Sequence, residues 1–150
     1  MTNDTEDLPT YHVLALSGGG YRALYTATIL KEFEQVLGRP IASHFDLICG
    51  TSAGGLLALG LASEIPASEL KSLFEDQGQQ IFGTRDFMRK RLGFLTRAKH
   101  SNAGLRSVLE QRFGKTTMGE LKHRVLIPAV NYTTGRSEEH TSELQSHAAS

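Results

Sequence analysis

A serine hydroxyl becomes a useful nucleophile only when a base takes its proton and hydrogen-bond donors stabilise the oxyanion that forms. In this chain of 150 residues, Ser52 stands at the centre of Gly50-Thr51-Ser52-Ala53-Gly54. The glycines of such a Gly-x-Ser-x-Gly pattern answer a geometric need. The serine must sit on a sharp turn from a strand into a helix, in strained backbone geometry, and side chains at the flanking positions would collide there. The surrounding sequence supplies that context, because a short apolar run, Phe45 to Cys49, precedes the motif and an almost wholly apolar stretch follows it to about Ser63. A helix starting at Ala53 would also aim free N–H groups, and the positive end of its dipole, at developing negative charge. By itself the pattern fits equally a glycine-rich turn required only for tight packing.

A second feature changes that balance. Ser17-Gly18-Gly19-Gly20-Tyr21-Arg22 places three consecutive N–H groups, unobstructed by side chains, at the end of a predicted strand and the start of a predicted helix. Gly18, Gly19 and Gly20 can therefore form an oxyanion hole, with Arg22 as a supporting residue, for acyl transfer centred on Ser52. The competing reading is a nucleotide-binding module, since Gly18-x-Gly20-x-x-Ala23 fits the permissive dinucleotide fingerprint. That fingerprint requires an acidic residue at the end of the second strand, where this sequence has Cys49-Gly50. A third reading is a regulatory domain that keeps the motif without the chemistry.

The elements that must position these loops follow from periodicity. Tyr11 to Leu16 reads as a strand stopped by glycine, and apolar residues from Leu24 to Leu37 recur at helical spacing up to Gly38-Arg39-Pro40. With the strand ending at Cys49 this makes a βαβ unit, followed by the helix after Ser52. Further helices are predicted over Pro66 to Phe82 and Asn102 to Phe113, and a strand over Arg124 to Asn131, where Pro128 implies an edge or a strand end. The expected fold class is α/β, with a central, mostly parallel sheet and helices on both faces.

Composition bounds the rest. Hydrophobic residues make up 39% of the chain, enough for one core of ordinary size. The 16 basic and 16 acidic residues balance, which argues against binding a nucleic acid polymer. Residues 1–10 are polar and acidic, are read as a disordered N-terminus, and lack the basic and apolar regions of a secretory signal, so the expected location is cytoplasmic. Leu47 to Ala62 is interrupted by Thr51 and Ser52 and falls short of the roughly 18 to 20 residues of a membrane helix. The lone Cys49 has no partner and reads as a small buried residue. Between Arg85 and His100, basic residues including Arg85, Arg89, Lys90 and Arg91 alternate with Phe87, Met88, Leu92, Phe94 and Leu95. This pattern suits peripheral contact with anionic lipid and, equally, an ordinary solvated helix. No cofactor or metal is implied.

Leu16-Ser17-Gly18-Gly19-Gly20-Tyr21-Arg22, followed by Phe45-Asp46-Leu47-Ile48-Cys49-Gly50-Thr51-Ser52-Ala53-Gly54-Gly55, closely resembles the patatin-like phospholipases. Weaker likeness extends through Thr117-Met118-Gly119-Glu120-Leu121 to Gly135, and Ala23 stands where the family usually has glycine. The resemblance implies a three-layer α/β/α domain and a Ser–Asp dyad that hydrolyses the acyl esters of membrane glycerolipids. It assigns Ser52 as nucleophile, Gly18 to Gly20 as oxyanion hole, and an aspartate in a later Asp-Gly-Gly or Asp-Gly-Ala motif as base. No Asp-Gly pair occurs in this sequence. Asp46 precedes the elbow strand, where bracing is its expected role, and none of the six histidines stands in a triad context. The loop and short N-terminus look like those of bacterial members that act as antiphage effectors under a cyclic oligonucleotide activator. Residues 11–135 are thus expected to be the N-terminal part of such a domain, truncated C-terminally. The stretch from Arg136 to His147 has no periodicity and resembles a translated sequencing adapter, so residues 136–150 are read as a non-native tail without function.

Overall fold

The computed structural model describes residues 9–82, 103–131 and 136–141. Strand β1 (Val13–Leu16) leads through the glycine loop and a 3₁₀ turn (Gly20–Arg22) into helix α1 (Ala23–Leu37). Gly38 ends α1 in the left-handed conformation, at φ 66°, and its N–H closes on Glu34 O. A second 3₁₀ turn (Ile41–His44) precedes strand β2 (Leu47–Gly50), which passes at once into helix α2 (Ala53–Ala62). Helices α3 (Ala67–Phe82) and α4 (Ala103–Phe113) follow, then strands β3 (Val125–Asn131) and β4 (Arg136–Thr141).

The sheet order is β1-β2-β3-β4. β1 and β2 are parallel, with Leu14 beside Ile48 and Leu16 beside Gly50, and β2 and β3 are parallel through Ile48–Val125 and Cys49–Leu126. Pro128 stands past the two residues of β3 that pair with β2, where its missing N–H removes no bond from that ladder. Among the described strands, the one with no counterpart in the sequence reading is β4, which runs antiparallel to β3 from Leu126–Thr141 to Asn131–Arg136. A polar segment can fill that place because a strand edge offers main-chain donors and acceptors to any partner of suitable length. Such pairing is indifferent to the origin of residues 136–141.

The strand order also decides where the helices go. Two successive crossovers that step the same way across a sheet, each right-handed, lay their helices on the same face. Leu16, Ile48 and Val125 point to that face and join Ala23, Ala27 and Leu30 of α1, Leu57 and Leu61 of α2, and Leu70 and Phe74 of α3 in one buried cluster. Complete burial of Ile48, Leu57, Leu61, Phe74 and Val125 contributes roughly 1.5 to 3 kcal/mol per side chain. On the opposite face, Val13, Ala15, Leu47, Cys49 and Leu126 are half-buried or exposed and lie outside the cluster. The α/β class and the parallel sheet are as expected, but the described helices cover one face. A second helical layer is not among the described residues. The basic segment from Arg85 to Lys99 also lies outside them.

Glu34 holds the helical layer together. Its carboxylate leaves α1 and accepts the Ile41 N–H at 3.1 Å and the Ala67 N–H at 2.7 Å, so one side chain satisfies orphan donors at the second 3₁₀ turn and at the start of α3.

Candidate active site

The carboxyl ends of β1 and β2 lie side by side, and the chain turns into a helix after each. At the second turn Ser52 has φ 53° and ψ −124°, the left-handed side of backbone space that serine normally avoids. Holding it there costs about 1 to 3 kcal/mol. The cost is sustained because the flanking glycines let main chain close on main chain. A Cβ on Gly50 would lie 2.2 Å from Gly54 O, and one on Gly54 would lie 2.2 Å from Leu16 O. Thr51 N–H donates to Leu16 O at 3.2 Å, and Gly54 N–H and Gly55 N–H return to Thr51 O and Ser52 O, both at 2.9 Å. The turn is thereby tied to the end of β1 and to the first turn of α2.

Ser52 occupies the N-cap of α2, yet its hydroxyl makes no capping bond and is exposed, free for other chemistry. The glycine loop lies directly against it. A Cβ on Gly18 would be 3.0 Å from Ser52 Cβ and 2.8 Å from Thr51 O, so the loop approaches as closely as a residue without a side chain permits. Gly18 N–H donates to Thr51 Oγ1 at 3.1 Å. This modifies the expectation of three free donors. The first glycine of the loop is engaged in fastening it to the elbow, and the N–H groups of Gly19 and Gly20 are the two left without a hydrogen bond to a described residue. Gly20 adopts φ 58°, which turns the chain into the 3₁₀ segment. Arg22 lies beside the loop, its Nε within 3.5 Å of where a Gly19 Cβ would stand, and it forms no ion pair with a described residue. The arrangement brings together a strained serine, two unpaired N–H groups, a helix N-terminus and a guanidinium. This is a constellation able to hold a tetrahedral oxyanion beside a nucleophile.

The candidate bases do not join it. Asp46 sits before β2, at the opposite end of that strand from Ser52, and its Oδ2 accepts the His12 N–H at 2.7 Å. It braces the start of β1. His44 lies against Arg39 Nε at 2.9 Å, and His123 packs with Glu64 beyond the C-terminal end of α2. Asp76 is exposed on α3. Among the described residues, no acid or imidazole is hydrogen-bonded to Ser52, and no cluster of His, Cys, Asp or Glu could hold a metal ion. Burial raises the Cys49 thiol above its ordinary range, so it is protonated and inert at neutral pH. The acid that a dinucleotide site requires is also absent, because β2 ends at Gly50 and enters the elbow directly.

One residue packed beside the end of the glycine loop carries no chemical signal in the sequence: Gly78, a glycine within α3. In the structure the Tyr21 ring lies on Gly78, which only a contact across 57 positions of the chain reveals (21 to 78).

The family model described as patatin-like phospholipase matches residues 14–149, a span that includes both glycine motifs. A cGAMP-activated phospholipase of Pseudomonas aeruginosa is 72% identical over 131 residues, which cover 87% of this chain and 39% of that protein. A cGAMP-activated phospholipase of Escherichia coli is 43% identical over 138 residues, with the same coverage of 87% and 39%. A cUMP-AMP-activated phospholipase of Escherichia coli is 37% identical over 73 residues, or 49% of this chain and 23% of that protein. The chain thus spans about two fifths of the length of the first two relatives. The family model runs through most of the sequence, and the Pseudomonas relative is similar over most of it: the chain belongs to the patatin-like phospholipase family.

Proposed function

We propose that this chain supplies the nucleophile and the oxyanion site of a serine hydrolase that cleaves acyl esters of membrane glycerolipids. The observation that carries the reading is Ser52 at φ 53° with the Gly18 backbone packed against its Cβ. Ser52 Oγ attacks the ester carbonyl as its proton passes to a base, and the carbonyl oxygen takes up the negative charge. Gly19 and Gly20 donate to that oxygen, aided by the N-terminus of α2 and the charge of Arg22. Collapse of the adduct expels the lysolipid alcohol and leaves an acyl ester on Ser52, which water hydrolyses to free fatty acid and serine. The base is an aspartate in an Asp-Gly context that this sequence does not contain, forming a Ser–Asp dyad. The 150-residue chain alone is therefore inactive.

The names of the relatives support a cyclic oligonucleotide as activator, and the role that goes with the resemblance of the loop and short N-terminus is antiphage defence. No described helix is long and apolar enough to cross a membrane. Access to lipid in this reading is peripheral, from the cytoplasm, on the strength of the basic and apolar residues interleaved in the stretch that includes Arg85, Arg89, Lys90 and Arg91. The test is a chimera in which residues 13–131 replace the matching part of the Pseudomonas relative. With cGAMP and phospholipid vesicles, the chimera is expected to release fatty acid and to be labelled by a fluorophosphonate at Ser52, both lost in Ser52→Ala. A folded chimera that is neither labelled nor active would identify the domain as regulatory, and NAD or ATP binding without labelling would identify a nucleotide module.

A further inference from the structure

We infer that Gly78 of α3 is a positioning residue for the oxyanion loop, acting through Tyr21; this rests on the hydrolase reading above. Tyr21 immediately follows Gly20, so the place of its side chain fixes the downstream end of the loop. A Cβ built on Gly78 would meet Tyr21 Cε2 at 2.5 Å and Cδ2 at 2.8 Å, distances that real Cβ atoms do not show. The ring therefore rests on bare backbone of α3, and Gly78 is buried beneath it while Tyr21 as a whole is 50% exposed. A glycine here is not explained by the helix itself. In a helix interior it is about 1 kcal/mol less favourable than alanine, and Gly78 lies inside α3, away from both of its ends. What it provides is space for an aromatic ring at one position.

The loop is thus fastened at both ends. Thr51 Oγ1 holds Gly18 upstream, and the Tyr21 ring on Gly78 holds it downstream, with Gly19 and Gly20 between. An alanine at position 78 must move the ring from 2.5 Å to an ordinary contact near 3.5 Å, a displacement of about 1 Å that removes the seat of the side chain adjoining the two donors. Misplacement of that size in a catalytic constellation costs up to about 100-fold in rate.

The test uses the chimera described above and the 150-residue chain. In the chimera, Gly78→Ala is expected to lower kcat 10- to 100-fold with KM within about two-fold, while the melting temperature holds or rises. Tyr21→Phe keeps the ring and should retain activity, Tyr21→Ala should lose it as Gly78→Ala does, and the double variant should lose no more than either alone. A Gly78→Ala enzyme within two-fold of the parent, or effects that multiply in the double variant, would overturn the assignment. In the isolated chain, the Gly19 and Gly20 amide resonances should shift in Gly78→Ala and not in Tyr21→Phe. That measurement does not depend on turnover. Should the unsubstituted chimera lack Ser52-dependent activity, the hydrolase reading fails, and unmoved amides would reject the positioning role separately.

Discussion

Replacing Thr51 with valine removes one oxygen and almost no volume, and the structure says what that oxygen does. Thr51 Oγ1 accepts the Gly18 N–H at 3.1 Å, and no other described contact of that hydroxyl competes with it. A neutral hydrogen bond of this kind is worth about 0.5 to 1.5 kcal/mol net. Gly18 is exposed, so water can satisfy the released N–H and the loss falls near 1 kcal/mol, not at the larger figure for a buried orphan. Losing that energy lowers the ratio of correctly aimed to released loops about five-fold at 1 kcal/mol, and about five-fold is the most by which the fraction with Gly19 and Gly20 correctly aimed can then fall. The expected result for Thr51→Val in the chimera is therefore a fall in kcat of up to about 5-fold. Deleting an oxyanion donor outright costs more, about 100- to 1,000-fold. Thr51→Ser restores the acceptor and should recover activity to within about two-fold. Steady-state release of fatty acid from vesicles gives kcat and KM, and thermal melts report any general damage. Equal activity in the valine and serine variants, or equal loss in both, would refute the role of the hydroxyl. A loss of 100-fold or more would mean that Gly18 contributes to catalysis directly and that its bond to Thr51 breaks when substrate binds.

Two further outcomes concern stability. Glu34→Ala withdraws the acceptor of both the Ile41 and the Ala67 N–H groups, and is expected to cost about 1 to 3 kcal/mol and several degrees of melting temperature. An unchanged melt would mean that the carboxylate does not join α1 to α3 in solution. The Glu64 carboxyl is held below the ordinary glutamate range, chiefly by the hydrogen bond from Lys122, so the unfolded chain binds its proton more readily than the folded one. Its contribution is then complete above the unfolded value and is lost as pH falls through the folded one. Chemical denaturation from pH 7 to pH 3 should show a shallower decline in Glu64→Gln than in the parent, and identical slopes would contradict the pairing.

How much of this was legible in the sequence depends on how local the determining physics is. The elbow was legible because Gly-x-Ser-x-Gly demands a strand before it and a helix after it, and β2 and α2 fall within two residues of the expected bounds. The inward residues of α3, Leu70, Leu73 and Phe74, were legible for the same reason, since spacing defines a face. In α1 spacing misleads. Ile29 and Phe33 share the apolar pattern but are exposed, because the helix buries only the narrow stripe of Ala23, Ala27 and Leu30. Periodicity says that a face is apolar and not how wide a neighbour will cover it. The engagement of Gly18 by Thr51 and the seat of Tyr21 on Gly78 were illegible, since both depend on atoms brought together from distant parts of the chain. The face of the sheet taken by the helices was in principle deducible, but only from strand order, which pairing settles and periodicity does not.

That strand order has a consequence for where the chemistry sits. From β1 to β3 the sheet winds in one direction, and the outer edge of β1 bears no described strand. In open parallel sheets ligands settle where winding reverses, in the crevice outside the carboxyl ends of the two strands that part there. The carboxyl end of β1 is Leu16, one residue from the glycine loop and hydrogen-bonded through its carbonyl to Thr51. A strand joined in parallel to the outer edge of β1 would create that reversal. Its crossover helix would lie over Val13 and Cys49, and its carboxyl end would open beside Ser52. The residues that close the apolar face and those that complete the catalytic crevice would then arrive on the same segment, so folding of the second layer and assembly of the active site would be a single event.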